Sequence, residues 1–328
     1  MKLATLKDGS RDGRLLVVSR DLSRAVAAED IAPTLQAALD DWARTSPLLE
    51  ARYAQLQAGQ GASFAIDVSQ LAAPLPRPYA WIDSSAYLSH MERAQKLRGA
   101  TPPATYKEDP LMYDGPTGPF LAACDPIPLP AGDLGMDLEG ELAVLLSDVP
   151  QGTSPEQAAG YIRLFTLVND VSLRTVIAQA IAGGTNPLYD GKPPCSMAPV
   201  AVTPDELGAA WDGRRLSLPL VCTINERELG HANAGVDMHF DFPTILARAV
   251  RTRALAAGTV LGSGTASNRD ASVGVACIAE QRMLEVLGGG QPQTPYLQPG
   301  DRVRIEMCTA DGQSVFGAID QVVAAVTN

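Results

Sequence analysis

Apolar residues in this chain recur first in short runs and then at helical spacing. Leu15, Leu16, Val17 and Val18 form an unbroken apolar run between Asp12-Gly13 and Asp21, the mark of a buried strand. Ile31, Leu35, Leu39 and Trp42 fall on one face of a helix, and Ser46-Pro47 offers an N-cap and preset first turn for a second helix reaching about Leu56. From residue 58 to 78 the text turns Gly-, Ala- and Pro-rich, which predicts a boundary between a small α+β N-terminal domain, residues 1–75, and a larger domain, residues 76–328. Asp83, Tyr87, His90, Ala94 and Leu97 then share one helical stripe, with Asp83 placed to cap its start.

The organising stretch is residues 136–146. Read as a strand, it puts Met136, Leu138, Leu142, Val144 and Leu146 on one face and Asp137, Glu139 and Glu141 on the other. The acidic face turns apolar at Ala143 and Leu145, so Glu139 and Glu141 sit where the strand enters a core. Like charges there either take up protons or hold a cation. An isolated Glu-x-Glu is more often a solvated strand face, and the rest of the chain decides between the two.

A second apolar run, residues 164–168, ends in Asn169-Asp170 before Arg174 opens a helical segment. Asp170 is thus either a helix cap or an ionisable group at the end of a buried strand. Lys192 stands in Asp190-Gly191-Lys192-Pro193-Pro194, a stiff loop that carries either a surface lysine or a positioned cation. Ser154-Pro155 with Gln157 forms a capping box, and Thr203-Pro204 with Glu206 repeats the device. The C-terminal third reads as strands at 218–224, 259–261, 276–279, 303–307 and 315–323, interrupted by one helix over about 243–251. Its sheet-rich text predicts an α+β fold rather than a doubly wound one. Gly262-Ser263-Gly264-Thr265 allows close backbone approach but lacks dinucleotide or Walker spacing.

Composition narrows the partners. With 328 residues, 46% hydrophobic and 19% charged, the chain is globular and long enough for a large core. A net charge of -11 argues against nucleic acid or an anionic membrane, so any charge holding an anionic ligand must be local. No apolar run approaches the roughly 20 residues of a membrane span, and no signal-peptide core opens the chain, so a cytoplasmic protein is expected. Five cysteines without CxxC spacing predict neither a disulfide framework nor a thiolate metal site. Of three histidines, His231 and His239 lie in polar, turn-like text. His90 is therefore the best-placed imidazole base, its alternative being a core histidine bonded to a carbonyl.

Taken in order, Glu139-Gly140-Glu141, Val168-Asn169-Asp170-Val171-Ser172 with Arg174, Gly191-Lys192 and Gly262-Ser263-Gly264-Thr265 resemble the fumarylacetoacetate hydrolase family from about Asp83 onward. In that family's name-giving enzyme an Asp precedes the catalytic His by seven residues, as Asp83 precedes His90. The resemblance implies a mixed β-roll or β-sandwich catalytic domain, usually dimeric, so a homodimer is expected. It makes Asp83, Glu139, Glu141 and Asp170 metal ligands, His90 the base and Glu280 its holder. Arg174, Lys192, Arg98 and Thr265 would meet substrate oxygens. Ser85 and Ile177 stand where the name-giving enzyme has an aromatic residue and a Gln, and Arg98-Gly99 is one residue out of step with the family's Arg-Gly pair.

The reaction so implied is cleavage of a carbon-carbon bond in a small anionic 1,3-diketo acid, with 4-fumarylacetoacetate giving fumarate and acetoacetate in aromatic catabolism. Oxygen donors suit Mg²⁺ or Ca²⁺ and accommodate Mn²⁺, whereas the lack of Cys or His ligands disfavours zinc. Acylpyruvate hydrolysis, oxaloacetate decarboxylation, and hydration or isomerisation of unsaturated keto acids are alternatives on the same scaffold. A metal-stabilised binding protein without catalysis is the alternative from another class.

Overall fold

A computed structural model describes residues 1–99, 101–102 and 104–326. Its spine is a 12-stranded mixed sheet whose central neighbours are Ile162–Asn169, Gly140–Leu146, Thr259–Gly262 and Ala80–Ser84. Gly140–Leu146 is buried along its whole length. Leu142, Val144 and Leu146 enter one apolar cluster, and Ala143 and Leu145 enter a second on the opposite face. Phe165 and Leu167 join the first and Leu164 and Val168 the second, so period-two alternation builds two cores from the same two strands.

The N-terminal strands continue this sheet. Lys2–Leu6 pairs with Ala201–Val202 on one side and with Arg14–Val18 on the other. Helices Leu35–Asp40 and Trp42–Gln57 lay Leu35, Leu39, Leu49 and Leu56 on the second core, against Leu3, Leu15, Ala143 and Val260. Residues 1–75 therefore share a sheet and a core with the larger, C-terminal part of the chain. The second helix starts before Ser46, which donates to Glu50 instead of capping, and Pro47 lies inside it. Among the described residues no helix is long and apolar enough to cross a membrane.

A five-stranded sheet packs on the first core, in the order Arg227–Asn233, Pro219–Ile224, Arg302–Met307, Ile319–Ala325 and Ile127–Leu129. Gly140 is a point of close approach between the sheets. A Cβ there would lie 2.5 Å from Cys222 Sγ and 2.7 Å from Leu220 Cδ2. Gly140→Ala is expected to destabilise the fold by about 1–3 kcal/mol, read as a lower denaturant midpoint, because neither neighbour can yield without disturbing the core.

Several expected elements differ. Residues 80–84 are a strand pairing parallel with Thr259–Gly262, and the helix begins only at Leu88, so Asp83 caps nothing. The 136–146 strand is broken: Met136–Asp137 pairs with Ser172–Leu173, and Gly140–Leu146 joins the large sheet. The expected strand at 276–279 is the start of helix Ile278–Leu287. The strand expected at 315–323 runs Ile319–Ala325. The Ser154 capping box is present, whereas Thr203 stands at its N-cap without a side-chain capping bond, its hydroxyl instead receiving the N-terminal ammonium.

Candidate functional site

Three carboxylates from three elements meet at one point. Asp83 comes from Ala80–Ser84, Glu141 from Gly140–Leu146, and Asp170 from the turn after Ile162–Asn169. One oxygen from each lies within 4.8 Å of the others, and all three side chains are buried. Asp83 Oδ1 accepts the Gly264 N–H, at 3.0 Å. Burial, with Asp170 beside it, pushes the Asp83 carboxyl up to about 7. Asp170 is better provided: Tyr113 donates to Oδ2 at 2.6 Å, Lys192 donates to the same oxygen, and the Cys195 thiol lies 2.9 Å from Oδ1. Glu141 is the outlier. Among the described residues neither of its buried oxygens has a hydrogen-bond donor, and burial together with Asp83 and Asp170 holds its carboxyl well above the usual range.

That orphaned pair of oxygens, set among hard oxygen donors, fits a divalent cation of the Mg²⁺, Ca²⁺ or Mn²⁺ type. Glu139, expected as a fourth ligand, is not part of the trio. The break before Gly140 turns it aside, so that its Oε1 meets Lys192 at 3.2 Å, Arg174 at 2.8 Å and the Ser172 hydroxyl, while Oε2 accepts from Thr265. Burial opposes its charge, but Arg174 and Lys192 outweigh it and hold Glu139 well below the usual carboxylate range.

Asp137, read as sharing the acidic face, does different work. It accepts the N–H groups of Ile278 and Ala279, at 2.7 and 2.9 Å, and the Arg174 Nε–H at 2.9 Å. It thereby anchors the N-terminus of the helix that carries Glu280, where a carboxylate is electrostatically favoured. Glu280 is fully buried and sits 3.1 Å from His90 Nδ1. Burial disfavours the His90 imidazolium, but the Glu280 carboxylate, with Glu139 beyond it, outweighs this and holds His90 above its ordinary 6.5. The ring is a quarter exposed, and its Nε2 makes no hydrogen bond among the described residues.

A pocket of about 220 Å³ is lined by His90, Asp83, Glu139, Arg174, Lys192 and Thr265. Met91, Ala94, Ile177 and Leu188 add apolar lining. Lys192 is a buried, positioned cation. Arg98 does not join them: it is exposed, ends the Leu88–Arg98 helix, and lies outside the pocket lining. Sequence reasoning missed Tyr113, hidden in turn-forming text, and Arg93, whose position three residues after His90 on one helix face was the available signal.

Residues 80–324 match the fumarylacetoacetate (FAA) hydrolase C-terminal family, and residues 1–77 match fumarylacetoacetase N-terminal domain 2. The chain belongs to the fumarylacetoacetate hydrolase family. Among solved structures of this fold, a Mycobacterium abscessus protein assigned as a 2-hydroxyhepta-2,4-diene-1,7-dioate isomerase is 19% identical, with a TM-score of 0.68 and 100% of both chains covered. Maleylpyruvate hydrolase from Sphingobium sp. SYK-6, solved with manganese(II) and pyruvate, is also 19% identical over 100% of both chains, with a TM-score of 0.65. An uncharacterised Staphylococcus epidermidis protein is 24% identical over 170 residues, 52% of this chain and 48% of that one. The chain thus spans about half the length of this curated relative. Its scaffold is that of the family's hydrolases and isomerases.

Proposed function

We propose that this protein is a metal-dependent hydrolase that cleaves a carbon-carbon bond in a 1,3-diketo acid, with 4-fumarylacetoacetate as the reference substrate and acylpyruvates next. The observation that carries this reading is His90, held at Nδ1 by buried Glu280 and lining the pocket that Asp83 also lines. Decarboxylation of a β-keto acid needs no base on water, whereas hydrolysis does.

Asp83, Glu141 and Asp170 would hold the divalent ion, with Glu139 the adjacent fourth carboxylate. When bound, the ion supplies Lewis-acid polarisation to the diketone oxygens. His90 takes a proton from water as its oxygen adds to one carbonyl carbon, and Glu280 stabilises the resulting imidazolium. The bond to the methylene carbon then breaks, its electron pair leaves as an enolate, and the His90 proton is available to the new C–H bond. Arg174 and Lys192 line the pocket as cations and lower the energy of the developing negative charge, an effect on the order of 3 kcal/mol per donor.

The test is to assay the purified protein with fumarylacetoacetate and with acylpyruvates, each with and without Mg²⁺ or Mn²⁺. Metal-dependent release of two acids is expected. Turnover of a hydroxyheptadienedioate without bond cleavage would favour isomerisation instead, the activity for which the M. abscessus neighbour is named. A homodimer goes with this reading, and sedimentation tests it.

A further inference from the structure

Arg93 stands three residues beyond His90 on the Leu88–Arg98 helix, with its side chain only 13% exposed. Its Nη1 donates to Glu280 Oε1 and, at 3.1 Å, to Ser267 Oγ. Its Nη2 donates to the carbonyls of Asn268 and Arg269, at 2.7 and 3.2 Å. Ser267 also donates to Glu280 Oε1, at 2.6 Å. The two oxygens of one buried carboxylate are thus divided, Oε2 to His90 and Oε1 to Arg93 and Ser267.

We propose that Arg93 is a positioning residue that shares the charge of Glu280 and thereby sets the basicity of His90. The proposal rests on His90 being the base in the reaction above. An undivided carboxylate beside an imidazole favours the imidazolium, which cannot take a proton from water. A guanidinium on the other oxygen is a permanent cation and withdraws part of that stabilisation. Its planar fork, held by two carbonyls, also fixes which oxygen faces Nδ1. That keeps the ring proton on Nδ1 and leaves the lone pair on Nε2, which makes no hydrogen bond among the described residues.

Other titratable groups also face the ring: the Cys277 thiol lies within 4.8 Å of a ring nitrogen, and burial keeps it protonated. Glu139 favours the imidazolium and Arg174 disfavours it, and these two are already paired with each other. Glu92, next to Arg93, is taken up by Arg269 at 2.8 Å. Glu280 is the one carboxylate in direct contact with the ring among the described residues.

The chain has three histidines, so NMR can follow each ring directly, with His90 assigned by its loss in His90→Gln. Arg93→Met is expected to raise the His90 titration midpoint by about one pH unit, and Arg93→Lys by less. Glu280→Gln is expected to move it the opposite way. The acid limb of kcat/KM should follow each shift, while kcat on the alkaline plateau of Arg93→Met changes less than kcat at neutral pH.

A purely structural role would lower the plateau and leave the midpoint in place. An unchanged or lowered His90 midpoint in folded Arg93→Met therefore overturns the proposal. If that variant does not fold, the same measurement on Arg93→Lys decides, with no upward shift as the overturning result. If the midpoints move as expected and the wild type cleaves no diketo acid, the electrostatic link stands and the hydrolase reading falls.

Discussion

Glu141→Gln is expected to abolish turnover, to weaken Mg²⁺ and Mn²⁺ binding by roughly 100-fold or more, and to raise the melting temperature of the metal-free protein. The reason is its isolation: among the described residues both oxygens are buried without a donor, beside two further carboxylates. In the absence of a cation, each charge placed there is opposed by desolvation and by its neighbours. Removing one of them should relieve the metal-free state, and the same change would take a proposed ligand from the loaded one. Added metal should therefore raise the melting temperature of the wild type far more than that of the variant. Glu139→Ala separates the two roles. Glu139 is the shared partner of Arg174 and Lys192, so its loss leaves buried Lys192 and half-buried Arg174 short of a counter-charge and is expected to destabilise the fold by about 3 kcal/mol. Calorimetry that finds unchanged metal affinity in Glu141→Gln would remove the trio from the mechanism.

The contrast between Glu139 and Glu141 also marks where sequence reading stops. Alternation located the Gly140–Leu146 strand correctly, because its two sets of apolar residues feed two cores and leave the register no freedom. Strict alternation also placed Asp137, Glu139 and Glu141 on one face. The break at residues 138–139 sends them to a helix N-terminus, an ion-pair cluster and the carboxylate trio respectively. Nothing local announces that break. It depends on Met136–Asp137 finding Ser172–Leu173, and on Glu139 bridging to Cys277.

Asp83 shows the same limit from the other side. Its spacing from Tyr87 and His90 fits one helical face, yet residues 80–84 are drawn into the sheet by parallel pairing with Thr259–Gly262. The pairing is nonlocal, and it is what carries Asp83 to the carboxylates. There Gly262 leaves room: a Cβ on it would lie 2.5 Å from Asp83 Oδ1. Helix Ile278–Leu287 was hidden because its apolar start reads as a strand, while one of its anchors, Asp137, lies far back in the chain. His90, Lys192 and the carboxylates could be named one by one as candidates, whereas Tyr113 and Arg93 were missed. The contacts that assign each its task came from tertiary structure.

His90→Ala is expected to lower kcat for diketo-acid hydrolysis by roughly 100-fold or more while leaving metal affinity unchanged. The ring is held through Nδ1 by a carboxylate that lies outside the carboxylate trio, so its removal should leave Asp83, Glu141 and Asp170 in place. The wild-type pH profile supplies an independent check. The base must be neutral to accept a proton, so kcat/KM should rise with pH through the His90 midpoint. Glu280 places that midpoint above the ordinary 6.5, and the acid limb should lie there. The same linkage works the other way on stability: a histidine whose midpoint is raised by folding stabilises the protein below about pH 6.5, and that contribution is lost as pH climbs through the folded midpoint. A sharper test uses two reactions. Any oxaloacetate decarboxylation by the wild type needs no activated water and should survive in His90→Ala, while hydrolysis collapses. Equal loss of both would mean that His90 holds the pocket together rather than activating water, and undiminished hydrolysis would remove it from the mechanism.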